Sequence, residues 1–146
     1  MNITRRQFLG TTASAVIVAG MKAQGKVFGA NDRVRVATVG FNGRGGSHIK
    51  GFLEMKDEGV EVAGLCDVDA NVLARGGKQV AEAAGRAPKL FKDVRELAES
   101  KEIDAMTTAT PNHWHSLVAM LGIQGGKDVY VEKPMSHNIW EGRQVV

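Results

Sequence analysis

Between Val34 and Ile49 the sequence reads VRVATVGFNGRGGSHI, with four glycines in the seven residues from Gly40 to Gly46. Before them, Val34 to Val39 is a β-branched run of strand character. After them the period changes: Ile49, Phe52 and Leu53 stand at i, i+3 and i+4, one face of a helix that closes near Gly59. A strand that passes through a glycine turn directly into a helix opens a βα unit and calls for a second, parallel strand. Gly40 and Gly45 have the outer spacing of G-x-G-x-x-G, a turn that aims backbone N–H groups and a helix N-terminus at an anion. Asn42 stands where the middle glycine belongs. Asparagine tolerates positive φ better than most residues, and Gly43 beside it adds freedom, so the loop is expected to hold a pyrophosphate. The plainer alternative is a glycine turn with no ligand.

The rest of the chain repeats the same alternation. Strands are expected over VEVAGLCD (Val60 to Asp67), at Leu90 and Phe91 as an edge, over Ile103 to Pro111, and over DVYVEKP (Asp128 to Pro134). Helices are expected from an Asp69 cap to Gly85, after Asp93, along Trp114, Leu117, Val118 and Leu121, and from Asn138 onward. Gly76 and Gly77 should cost the second helix about 1 kcal/mol each relative to alanine, so a break or late start is expected there. Repeated βα units imply an α/β fold, a doubly wound parallel sheet with helices on both faces.

Asp67 closes the second strand 22 residues beyond Gly45. At that place a carboxylate can accept hydrogen bonds from both ribose hydroxyls of an adenosine, whereas a 2′-phosphate would set two anions together. NAD is therefore expected over NADP.

The 146 residues carry a formal net charge of +3, but its distribution excludes a nucleic-acid footprint. Residues 1–30 hold Arg5, Arg6, Lys22 and Lys26 and no acid, which leaves 15 bases against 16 acids beyond them. In that leader, TRRQFL (Thr4 to Leu9) precedes a 14-residue apolar run, Phe8 to Met21, too short to span a bilayer comfortably. It resembles a twin-arginine export signal. The expected organisation is a leader over 1–30 and a nucleotide-binding domain over 31–146, exported by the twin-arginine machinery to a bacterial periplasm. Cys66 is the single cysteine and reads as a buried small residue. His113 and His115 point different ways on a helix, so no metal site is expected.

VGFNGRG, CDVD, TPNHWH (Thr110 to His115) and EKP (Glu132 to Pro134), in this order and spacing, resemble the Gfo/Idh/MocA oxidoreductases over residues 33–146. The resemblance implies a Rossmann-type domain whose strand ends converge on a nicotinamide dinucleotide. By it, Asn42, Gly43 and Arg44 would line the pyrophosphate between Gly40 and Gly45, and Asp67 the adenosine ribose. Thr110, Pro111, Asn112 and His115 would border the nicotinamide half, His115 either directly or as support from behind. Glu132 and Lys133 would stand beside the nicotinamide, with Lys133 the catalytic lysine and its bond to Pro134 often cis. The Rossmann domain is incomplete by that pattern: a sixth strand and a second α+β domain, which carries substrate contacts and the surface for homo-oligomers, would belong to a longer parent. The implied activity is hydride transfer with a sugar, cyclitol or related polyol on a retained cofactor, this chain alone being inactive. The alternatives are an NAD-using glycosidase of similar fold and a non-catalytic dinucleotide-binding fragment.

Overall fold

The computed structural model describes residues 33–146. Five strands alternate with helices: β1 (Val34–Val39), α1 (Arg44–Glu54), β2 (Val60–Cys66), α2 (Ala70–Ala84), β3 (Lys89–Phe91), α3 (Val94–Glu99), β4 (Ala105–Thr108), α4 (Asn112–Gln124), β5 (Asp128–Val131) and α5 (Ile139–Val145). All pairings are parallel, and the strand order is β3-β2-β1-β4-β5. Order reverses beside β1, so a crevice opens at the carboxyl ends of β1 and β4.

Alternation in β1 divides the core between two helix layers. Val36 joins Ile49, Val72, Leu73 and Val80 beneath α1 and α2. Ala37 and Val39 face the other way, with Leu97, Met106 and Val118 beneath α3 and α4. In β2 the alternation slips: Val36 pairs Val62, but Ala37 pairs Gly64. Ala63 is thus an extra residue, and it lets Val62 and Leu65, three apart, face the same layer.

The helices start where side chains accept their first N–H groups. Asp69 accepts from Asn71 and Val72 at the head of α2, and Asn138 accepts from Glu141 at the head of α5. Gly76 and Gly77 do not break α2, contrary to expectation. A Cβ on Gly76 would stand 2.4 Å from the Phe41 ring, and one on Gly77 would stand 3.3 Å from Leu90. These glycines let α2 lie close against the loop after β1 and against β3, and that packing offsets their cost in helix propensity.

Candidate functional site

Backbone hydrogen bonds set the strand ends side by side. Gly40 N–H donates to Cys66 O (2.9 Å), Asp67 N–H to Phe91 O (3.3 Å), Ala109 N–H to Val39 O (3.0 Å) and Glu132 N–H to Thr108 O (3.0 Å). The loops that follow these residues share one edge of the sheet. Between them lies an open cavity of about 980 Å³, which Gly40, Asn42, Gly43, Asp67, Thr110 and Pro111 help to line. Trp114, Leu117 and Leu121 of α4 form an apolar wall.

The glycine loop turns differently from the expectation. Gly40 takes the left-handed step, with φ 71°, and no non-glycine among the described residues has positive φ. Asn42 therefore needs none of glycine's freedom, which is why the missing middle glycine is tolerated. Its side chain points toward α2, where Oδ1 accepts from Arg75 Nη2 at 2.8 Å. Two close approaches hold the turn. A Cβ on Gly45 would fall 2.2 Å from Gly40 O, and one on Gly40 would fall 2.6 Å from Thr110 Cγ2.

Whether these residues fit a dinucleotide is answered by three features. No side chain caps the N-terminus of α1 at Gly43, so the partial positive charge of the helix end faces the loop. Gly43 lines the cavity, and the space where its Cβ would stand is empty to 4 Å. Asp67 also lines the cavity. Its Oδ2 accepts from Phe41 N–H and its Oδ1 from Asp69 N–H, both at 3.1 Å, which ties the glycine loop to the end of β2. Each carboxylate oxygen keeps a further lone pair for a ribose hydroxyl. The residues fit.

The remaining candidates lie outside the cavity lining. Gly45 is buried under the loop, and Asn112 is exposed at the first turn of α4. Arg44 does not reach over the loop: its Nε donates to Glu132 Oε1 at 2.7 Å. His115 is 3% exposed, with Nε2 2.8 Å from Thr110 O and Nδ1 2.6 Å from Pro134 O, so its ring fastens the loop after β4 to the loop after β5. Lys133 is exposed at the end of β5, and its peptide bond to Pro134 is cis.

Two side chains that motif reading passed over complete the arrangement. His48 Nε2 lies 2.9 Å from Glu132 Oε1, and His48 Nδ1 lies 2.7 Å from Thr107 Oγ1. The available signal was its place four residues after Arg44, one turn along the same helix face. The Arg44 guanidinium foremost, then His48, holds the Glu132 carboxyl down to about 2. Cys66, on the cavity floor, goes the other way: burial first, then the neighbouring Asp67 charge, pushes its thiol up to about 12. Among the described residues no three His, Cys, Asp or Glu side chains are placed to hold a metal ion.

A parallel sheet in this order, with a glycine loop and an acidic second strand end on one cavity, defines a dinucleotide-binding Rossmann domain. Residues 34–146 match the Gfo/Idh/MocA oxidoreductase family, NAD-binding Rossmann fold, and the chain belongs to that family. It is similar to glycosyl hydrolase family 109 protein 2 of Shewanella sp. strain ANA-3, 34% identical over 136 residues, which cover 90% of this chain and 29% of that protein. The chain thus spans less than a third of that relative's length. Scyllo-inositol dehydrogenase from Lactobacillus casei, solved with NAD(H) and scyllo-inositol, has the same fold: TM-score 0.69, 19% identity, covering 78% of this chain and 32% of that one. An NAD binding oxidoreductase from Klebsiella pneumoniae gives a TM-score of 0.67 at 25% identity, covering 77% of this chain and 30% of that one.

Proposed function

We propose that this chain is the NAD-binding part of an exported oxidoreductase acting on a sugar, cyclitol or related polyol. The observation that carries the reading is the joining of three groups on one cavity: the uncapped α1 terminus, the Gly40–Gly45 loop and Asp67. When bound, the dinucleotide supplies a hydride acceptor. The loop and the helix terminus hold its pyrophosphate, and Asp67 accepts from the adenosine ribose, which favours NAD over NADP by charge. Thr110, Pro111 and Asn112 border the nicotinamide half, with His115 supporting that border from behind. Lys133 is the catalytic residue: beside the substrate hydroxyl its ammonium polarises the oxygen, and in the neutral form its amine takes up the hydroxyl proton as hydride leaves the carbon. Residues 1–30 serve as a twin-arginine leader and 31–146 as the folded domain. The periplasmic location follows from that leader, and the route suits a protein that folds around its cofactor before transport.

A second reading is favoured by the name of the Shewanella relative. A glycosidase can use bound NAD to oxidise a sugar, eliminate the aglycone, add water across the double bond that is left and return the hydride, so its NAD pool shows no net change. In a protein of the relatives' full length, aryl glycoside cleavage without NADH accumulation selects this reading, and NADH accumulation from a polyol selects the dehydrogenase.

The cofactor reading is tested by fluorescence titration of NADH and NADPH into the 146-residue chain. NADH should bind more tightly than NADPH. Asp67→Ala should weaken NADH binding by about tenfold, the scale of one hydrogen bond to a charged group. Asp67→Asn should narrow the gap between the two cofactors. Equal binding of NADPH by the unaltered chain, or indifference to Asp67→Ala, refutes the assignment. Arg5→Lys with Arg6→Lys should retain the protein in the cytoplasm; export of that double variant refutes the leader.

A further inference from the structure

Behind the cavity a polar cluster ties three elements together. Arg44 and His48 leave the same face of α1 and end on one atom, Glu132 Oε1, at 2.7 and 2.9 Å. The other ring nitrogen of His48 meets Thr107 Oγ1 at the end of β4, 2.7 Å away. Glu132 Oε2 in turn accepts the backbone N–H of Lys133 at 3.3 Å. Helix α1 and the carboxyl ends of β4 and β5 are thus joined through one imidazole.

Such a histidine can carry protons or hold a geometry, and its surroundings decide between the two. Ionised Glu132 is acceptor-only, so His48 Nε2 carries hydrogen whatever the state of the ring. In the neutral ring Nδ1 then accepts from the Thr107 hydroxyl. Thr107 is 1% exposed, so a proton passed inward arrives at a sealed hydroxyl and has no exit. The bonds form a strut with a blind end. Arg44 cannot replace it, because its side chain is 67% exposed against 9% for His48. Exposed ion pairs are screened and weak, whereas a buried, hydrogen-bonded ring keeps its orientation.

We propose that His48 is a positioning residue: locked as the Nε2–H form between Thr107 and Glu132, it orients the Glu132 carboxylate and through it the backbone of Lys133. Its functional meaning rests on the reading of Lys133 as the catalytic lysine; the strut itself does not.

The test uses the isotope-labelled 146-residue chain and two readouts. Long-range proton–nitrogen spectra of the neutral His48 ring should show hydrogen on Nε2 and none on Nδ1. His48→Ala should move the Lys133 amide proton upfield and raise the NADH dissociation constant about fivefold, or about 1 kcal/mol for one misplaced hydrogen bond. His48→Gln, whose amide N–H can still reach Glu132, should restore most of both. Thr107→Val, nearly unchanged in volume, should alter the His48 ring signals and judges the strut should His48→Ala unfold. A Lys133 amide unmoved in folded His48→Ala protein, His48 ring signals unmoved in Thr107→Val, or an Nδ1–H ring overturns the proposal. If the unaltered chain binds no NADH while the amide responds as stated, the strut stands and the cofactor reading fails.

Discussion

Adjacent glycines in α2 offer an experiment in which one substitution should have opposite signs. Alanine in a helix interior is favoured over glycine by about 1 kcal/mol, and both Gly76 and Gly77 could collect that gain. At Gly77 the new Cβ would meet Leu90 Cδ1 and Cδ2 at 3.3 Å. Leu90 is 47% exposed, and its methyls can rotate away. Gly77→Ala should therefore stabilise the protein by about 0.5–1 kcal/mol. At Gly76 the new Cβ would stand 2.4 Å from Phe41 Cε2 and 3.0 Å from Cζ, with Leu65 Cδ1 behind at 3.3 Å. Phe41 is only 7% exposed and Leu65 fully buried, so the ring has no free direction. Overpacking of this kind costs about 1–3 kcal/mol, which exceeds the helix gain. Gly76→Ala should then be net destabilising, and because Phe41 begins the glycine loop it should also weaken NADH binding. Urea unfolding followed by tryptophan fluorescence measures the first effect, and cofactor titration of the folded fraction the second. A Gly76→Ala protein as stable as the parent, or a Gly77→Ala protein equally damaged, would refute the packing account of these glycines.

Three further outcomes follow from other parts of the molecule. The Glu132 carboxyl, held at about 2 by Arg44 and then His48, lies below its ordinary 4.5. Its stabilisation is complete above the ordinary value and lost as pH falls toward about 2; carbonyl-carbon spectra should show it titrating below pH 3, and a midpoint near 4.5 would mean the contacts do not persist in solution. Cys66, raised from 9.0 to about 12, should resist a thiol reagent at pH 8 until the chain is unfolded. The same shift makes stability fall above pH 9, where the unfolded thiol ionises and the folded one does not; rapid labelling of native protein contradicts its burial. Asp104 receives Arg35 through Nε, Nη2 and the backbone N–H at 2.8 to 3.0 Å, between β1 and the start of β4. Asp104→Ala should cost about 1.5–3 kcal/mol in denaturant midpoint experiments, and a change within error would place that pair among inert surface contacts.

Much of the fold was legible because its determinants are local. The period change across Gly40–Gly46 located β1 to the residue, and Asp69 and Gly85 bounded α2 as expected. Helix α1 begins at Arg44, earlier than Gly46, and yields after Glu54 to a short 3-10 turn. What sequence reading missed depended on residues brought together across the fold. Gly40 takes the positive φ, and the neighbour that leaves no room for a side chain there is Thr110, 70 positions away. Arg44 is 88 positions from Glu132, and nothing in either neighbourhood says that its guanidinium bends to β5. His48 lacked a motif of its own. Its importance comes from register, since β4 pairs with β1 and β5 so that Thr107 and Glu132 arrive under the same turn of α1.

The position of β1 bears on how the chain reaches this structure. Among the described residues the earliest strand, β1, is the middle strand of the sheet, and its second neighbour, β4, starts at Ala105, 66 positions beyond Val39. During synthesis β2 can cover one edge of β1 early, while the other keeps its row of open N–H and C=O groups until β4 has emerged. Parallel pairings over such separations form slowly, and an open apolar strand edge is where partly folded chains adhere to one another. A delay in the pairing of Ala105–Thr108 should therefore lower the yield of folded protein, because it leaves the most deeply buried strand as the stickiest surface of the nascent chain.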